Sequence, residues 1–196
     1  MWSAFSNVGD AALTLPVALV CASWLALSDW RLAIRWVSLL AAGMALVGLT
    51  KILYAGCGFE ISQIDFRVIS GHTMLSTAVW TVTVALLVRE WRPNGFPELF
   101  VGLGIGLITG VARVFVHAHS ISEVVIGWGV GTLVALLSLS EFRRAHLRLS
   151  GRIPAAVVLL LVSSVAYGHR APFQDLIDKH SAELCARVSA RLAAFF

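Results

Sequence analysis

Apolar residues in this chain gather into six runs, each close to the length a helix needs to cross a bilayer. They lie near Ala11–Leu27, Ala33–Thr50, His72–Val88, Leu99–Val116, Ile121–Leu139 and Ile153–Gly168. A hydrocarbon core takes about 20 residues of α-helix, and inside it every backbone N–H and C=O must find a partner within the protein. That segmentation predicts an all-α polytopic membrane protein with six transmembrane helices in a bundle. Trp2, Trp30, Trp36, Trp91 and Trp128 flank the runs and extend them into the interface. Composition agrees: 13% of the 196 residues are charged, where a soluble domain carries about a quarter. The formal charge of +4 therefore reports topology rather than nucleic-acid binding, and no nucleic-acid partner is expected.

The connections differ in charge. "SDWRL", "REWRPNGFPE" and "EFRRAHLRLSGR" carry Arg31, Arg35, Arg89, Arg92, Arg143, Arg144, Arg148 and Arg152. By the positive-inside rule these face the cytoplasm. Six helices then put both termini outside, with the 54–71 loop and the "HAHSIS" turn. The first apolar run is expected to remain as a membrane helix, since no cleavage site follows it. Residues 1–170 read as one six-helix membrane domain. From 171 to 196, Leu176, Ile177, His180, Leu184, Val188 and Leu192 recur at helical spacing between charges. That pattern predicts an amphipathic helix on the outer surface or a packed cap. Cys57 and Cys185 fall on the same outer side, where a disulfide is permitted; Cys21 lies within an apolar run.

Ionisable residues at the edges of membrane helices are costly and point to function. "RVFVHAHSISE", residues 113–123, brings Arg113, His117, His119 and Glu123 to the outer face. His119 and Glu123 are four apart and share a helix face, so the carboxylate can fix the imidazole tautomer. Arg113 offers a bidentate grip on an oxyanion. In "ISGHTML", Ser70 is a good N-cap, Gly71 admits a close ligand, and the free amides of a helix start suit an anion. His72 is placed to exchange a proton. Lys51 ends the second helix on that face. Together these residues suit a phosphate. The Gly-rich "GLGIGLITG" follows no strand and reads as close helix packing, not a nucleotide loop. His117 reads as an interfacial or structural histidine. A metal site built on "HAH" lacks a third ligand cluster, and no metal or cofactor is expected.

The order Lys51, "SGH" at Ser70–His72, and Arg113-x5-His119-x3-Glu123 resembles the type-2 phosphatidic acid phosphatase superfamily, shared with vanadium-dependent haloperoxidases. The resemblance implies a lipid phosphate or polyprenyl diphosphate phosphatase working at the outer face of a bacterial inner membrane, without a metal. It makes His119 the nucleophile that forms a phosphohistidine, Glu123 the acid that orients it, and His72 the general acid. Lys51, Ser70, Gly71 and Arg113 match the phosphate cradle. The sequence departs from the pattern in having Glu for Asp at 123, Ile69 for Pro and Ala112 for Ser. Gly58 and Phe59 stand where the first motif has Arg-Pro; Arg67 is the cation expected to compensate. A family member that binds or moves phospholipid without hydrolysis is the alternative. The expected partners are the bilayer and a lipid phosphate; the oligomeric state is not legible.

Overall fold

Aspartates start the first two long helices. The computed structural model describes residues 1–88, 97–144 and 152–168, all in helices and the turns between them. A short helix α1 (Trp2–Asn7) turns into α2 (Ala11–Ala26), whose N-cap Asp10 accepts the Ala12 N–H at 2.8 Å. Asp29 caps α3 (Trp30–Cys57) in the same way, through the Arg31 N–H at 2.9 Å. In both cases an extended residue with an acceptor oxygen satisfies one of the helix's orphan amides. Then follow α4 (Gly71–Val88), α5 (Pro97–Phe115), α6 (Ile121–Arg144) and α7 (Arg152–Ala166).

The middle of the bundle is α4, which packs most extensively against α5 and α6. It is apolar nearly all round and buried along its length. Its hydroxyls do not go unsatisfied: Thr77, Thr81 and Thr83 donate to carbonyls four residues back at 2.6–2.8 Å. The close approach of α5 depends on glycines four apart. A Cβ on Gly102 would lie 2.0 Å from Thr81 Oγ1, one on Gly106 2.0 Å from Thr77 Oγ1, and one on Gly110 2.5 Å from Val124 Cγ1. Helices in lipid gain from such packing because backbones can approach where side chains are small. The "GLGIGLITG" stretch is therefore a packing stripe as expected, although Gly104 meets nothing.

Among the described residues, four stretches are long and apolar enough to cross a membrane: Trp2–Ala26, Trp30–Cys57, Gly71–Val88 and Ile121–Arg143. Leu99–Phe115 and Ile153–Ala166 are shorter apolar helices. Large side chains such as Leu19, Phe100, Leu133 and Leu160 are exposed on the outside of the bundle, a surface suited to lipid and not to water. This is an all-α integral membrane protein.

The structure alters several helix limits. The second apolar helix does not end at Thr50 or Lys51; α3 runs nearly two turns further and stops at Gly58, which takes a left-handed conformation (φ 67°). Lys51 thus stands inside a helix. The short α1 was not expected, because six residues cannot register as a span. At the end of the bundle where α3 begins and α6 ends, Arg35 pairs with Glu141. The tail helix expected over 171–196, Cys185, and the loop arginines Arg89, Arg92 and Arg148 lie outside the described residues. Cys57 is disulfide-bonded and Cys21 is free and buried.

Candidate active site

At the opposite end of the bundle, the last turns of α3 and α5 meet the first turns of α2, α4 and α6 around a cavity of about 630 Å³. Lys51, Arg67, Gly71, His72, Arg113, His119 and Glu123 all line it. Residues scattered over 73 positions of sequence are thereby brought to one site.

The best-ordered pair is His119 with Glu123. The Nδ1 of His119 lies 2.6 Å from Glu123 Oε2. Glu123 is only 1% exposed, and a buried carboxylate needs partners. It has them: Oε1 accepts the N–H groups of Arg67 (3.0 Å) and Val68 (3.2 Å), and Oε2 accepts that of Ser120 (3.2 Å). Ser120 Oγ in turn accepts the Glu123 N–H at 3.4 Å. This is a capping box at the start of α6, and the S-x-x-E spacing of "SISE" was its sequence signal. The helix start thus fixes Glu123, and Glu123 fixes the imidazole. Burial pushes the His119 imidazole down to about 4, Arg113 and Lys51 adding in that direction and the Glu123 hydrogen bond opposing it. At neutral pH the ring is uncharged, with Nδ1 held and Nε2 left for the cavity.

The turn that delivers His119 is built from its neighbours. His117 has φ 54°; its N–H bonds the Val114 carbonyl at 2.9 Å and the Ala118 N–H bonds that of Arg113 at 3.0 Å. That double bond pattern terminates α5 as a Schellman motif, with histidine in the place glycine usually takes. The His117 side chain is exposed and does not line the cavity. Among the described residues, no group of three or more His, Cys, Asp or Glu side chains is placed to hold a metal ion.

Opposite His119 stands His72, in the first turn of α4. Its Nε2 is 3.4 Å from Asp10 Oδ2, a partner that sequence reasoning missed. Asp10 comes from the N-cap of α2, 62 positions upstream, and no local pattern links the two. Arg113 donates from NH1 to Ser6 Oγ at 3.1 Å, a second unforeseen contact from the N-terminal segment.

Ser70 and Gly71 part company. Gly71 lines the cavity, whereas Ser70 is fully buried and does not. Its N–H is donated to the Glu123 carbonyl at 3.2 Å and its hydroxyl pairs with Thr73 Oγ1 at 2.9 Å. Ser70 therefore ties the start of α4 to α6, and its own N–H is taken up by that bond.

Gly58 and Phe59, where the first motif would have Arg-Pro, do not line the cavity. Gly58 instead closes α3, its N–H bonding the Tyr54 carbonyl at 2.9 Å. Arg67 does line the cavity, with Nε 3.6 Å from Glu123 Oε1. A hydrogen bond to Tyr54, then the Glu123 carboxylate, raise its already high pKa, so it stays charged.

What fold and site define is an integral membrane protein with a carboxylate-held histidine facing three cations across a closed corner of the bundle. The model of the PAP2 superfamily matches residues 54–146, the stretch that carries Arg67, His72, Arg113, His119 and Glu123. Members of that superfamily are generally phosphatases, which supports a phosphoester hydrolase in general. An "Uncharacterized 22.5 kDa protein in cps region" of Klebsiella pneumoniae is 29% identical over 187 residues, covering 91% of this chain and 88% of that protein. No solved structure matches the chain.

Proposed function

We propose that this protein is a lipid phosphate phosphatase that works through a phosphohistidine at the outer face of a bacterial-type inner membrane. The observation that carries it is the 2.6 Å contact of His119 Nδ1 with the buried Glu123, set among Lys51, Arg67, Arg113 and His72 around one cavity. The neutral Nε2 of His119 attacks phosphorus in line while the ester P–O bond breaks. His72 gives its proton to the departing oxygen. Water then attacks the phosphohistidine, its proton returns to His72, and the N–P bond breaks to release phosphate. Through both steps Lys51, Arg67, Arg113 and the free amides of the first turn of α4 stabilise charge on the phosphoryl oxygens, the largest expected contribution. Arg67 stands in for the cation that Gly58 lacks. No metal enters this scheme.

A lipid substrate is supported by the shape of the cavity. Beyond the charged corner its wall continues down α3 through Gly48, Val47 and Met44 and across to Met74 and Leu75. From Lys51 to Met44 is about 10 Å along a helix, so a head group at the cations leaves its chain among apolar side chains at membrane depth. Arg31, Arg35 and Arg143 at the other end support a cytoplasmic place for that end by the positive-inside rule.

Phosphate release from a panel of lipid phosphates by detergent-purified protein tests the reading. Wild type is expected to release phosphate from at least one lipid, and His119→Ala to lose at least about 10³-fold, the scale of removing a nucleophile. Binding of lipid phosphate with no release by wild type would favour the non-hydrolytic alternative, which the left-handed Gly58 at the usual arginine position motivates.

A further inference from the structure

The stretch matched by the family model begins at residue 54, yet the candidate site has a wall that comes from the first ten residues. The turn between α1 and α2 lies directly on the start of α4. A Cβ on Gly9 would be 2.4 Å from the His72 carbonyl oxygen, so only glycine allows the turn to sit there. Trp80 Nε1 donates to the Val8 carbonyl at 3.0 Å from two turns along α4. At the other end of α1, Trp2 stacks on Phe115 with ring centroids 4.5 Å apart and planes 5° from parallel. This clamping brings Asp10, 8% exposed, into the cavity wall with Oδ2 3.4 Å from His72 Nε2. Its other oxygen is committed to the Ala12 N–H, which fixes the direction of the carboxylate.

We infer that Asp10 is a positioning residue for the general acid, completing a second histidine–carboxylate pair across the cavity from the first. The inference rests on the phosphatase reading above. With Nε2 turned to Asp10, Nδ1 is the ring nitrogen that remains for the substrate. When His72 is protonated, the Asp10 carboxylate balances an imidazolium that otherwise faces Lys51 and Arg113. As the P–O bond breaks, the Nδ1 proton passes to the leaving oxygen and His72 becomes neutral. In the second step it takes a proton from the attacking water and is charged again. Asp10 touches neither substrate nor phosphorus; it acts through the ring.

The test is the dependence on leaving group, which a merely structural residue would not change. Full-length protein in detergent is given two single-chain phosphomonoesters matched in tail, an alkyl phosphate and an alkylated nitrophenyl phosphate. The first leaves as an alkoxide that needs a proton and the second as a stable phenolate that does not. Asp10→Asn keeps a good N-cap for α2 but removes the charge. We expect kcat/KM on the alkyl phosphate, which reports phosphohistidine formation and not its hydrolysis, to fall at least about 10-fold, part of the roughly 10²–10⁴-fold that general acids supply. On the nitrophenyl ester the loss in kcat/KM stays under about 3-fold, since its leaving group needs no proton. Asp10→Ser, which also caps, should reproduce the pattern. Equal losses on both esters, or none on either, overturn the role of Asp10 while leaving the phosphatase reading in place. Failure of wild type to release phosphate from both esters overturns that reading and this one together.

Discussion

Two histidines face each other across one cavity, and each has a carboxylate, but the two pairs are built differently. His119 and Glu123 are four residues apart in one capped turn, 2.6 Å from each other, with Glu123 held by three backbone N–H groups. His72 and Asp10 come from different helices, stand 3.4 Å apart and are more open, with side chains 29% and 11% exposed against 9% and 1%. The tight pair suits a nucleophile, whose ring must keep one orientation while a bond forms at its free nitrogen. The looser pair suits a group that gives up and regains a proton each cycle. Rigidity comes from local chain, adaptability from packing between helices.

The largest blow to this contrast should come from Glu123→Gln. The amide keeps its size but not its charge, so the Nδ1–H of His119 and three backbone donors lose an ionised acceptor. Loss of about 10⁴-fold in kcat is expected, on the scale of neutralising the carboxylate of a catalytic triad, and steady-state assays would read it. A loss equal to that of Asp10→Asn would mean the two pairs are not distinct in kind. Gly9→Ala comes next. Its Cβ cannot sit 2.4 Å from the His72 carbonyl oxygen, so the turn must move and carry Asp10 away. About a 10-fold fall in kcat on alkyl phosphates is expected, within the range for a disturbed general acid, with the His119 pair untouched. A normal level of phosphohistidine from the nitrophenyl ester in that variant would show the separation.

The smallest effect expected is the response of His119 to pH. With its imidazole held near 4 instead of the usual 6.5, the ring stays neutral and nucleophilic down to mildly acidic conditions. Its contribution to kcat/KM should be flat from pH 8 to about 5 and fall only as pH approaches about 4, since kcat/KM reports the free enzyme. An NMR titration of wild-type protein that puts the midpoint of the His119 ring near 6.5 would contradict the burial argument. The same shift bears on stability: the unfolded chain takes up the proton first, so stability from this group is lost as pH drops from about 6.5 toward 4.

The contrast also explains what was legible. Apolar runs gave the helical class and most helix positions, because membrane helices must be continuous and apolar. Lys51, Gly71, His72, Arg113, His119 and Glu123 were readable as a group, since helix count and motif spacing put them at one end of the bundle, whereas Arg67 was read only as a stand-in for the cation missing at Gly58. The extension of α3 past Lys51 was not, because a charge at the edge of an apolar run looks like an end, and the true stop is a glycine seven residues on. Ser70 carried the right motif letter but packs inward, a direction that spacing does not set. Asp10 and Ser6 were invisible as site residues: their contacts span 62 and 107 positions of sequence and exist only once α1 and α2 are docked. The expected membrane orientation and the tail rest on sequence pattern.

The central claim is that phosphorus becomes bonded to His119. Wild-type protein mixed with lipid phosphate labelled in its phosphoryl group and quenched within a turnover should carry label that is stable in base and released by acid, the behaviour of a phosphoramidate. His119→Ala should carry none, and His72→Ala should accumulate more from the nitrophenyl ester, because hydrolysis of the intermediate slows. Equal base-stable labelling of wild type and His119→Ala, or phosphate release by wild type with no labelled protein under single-turnover conditions, would contradict it.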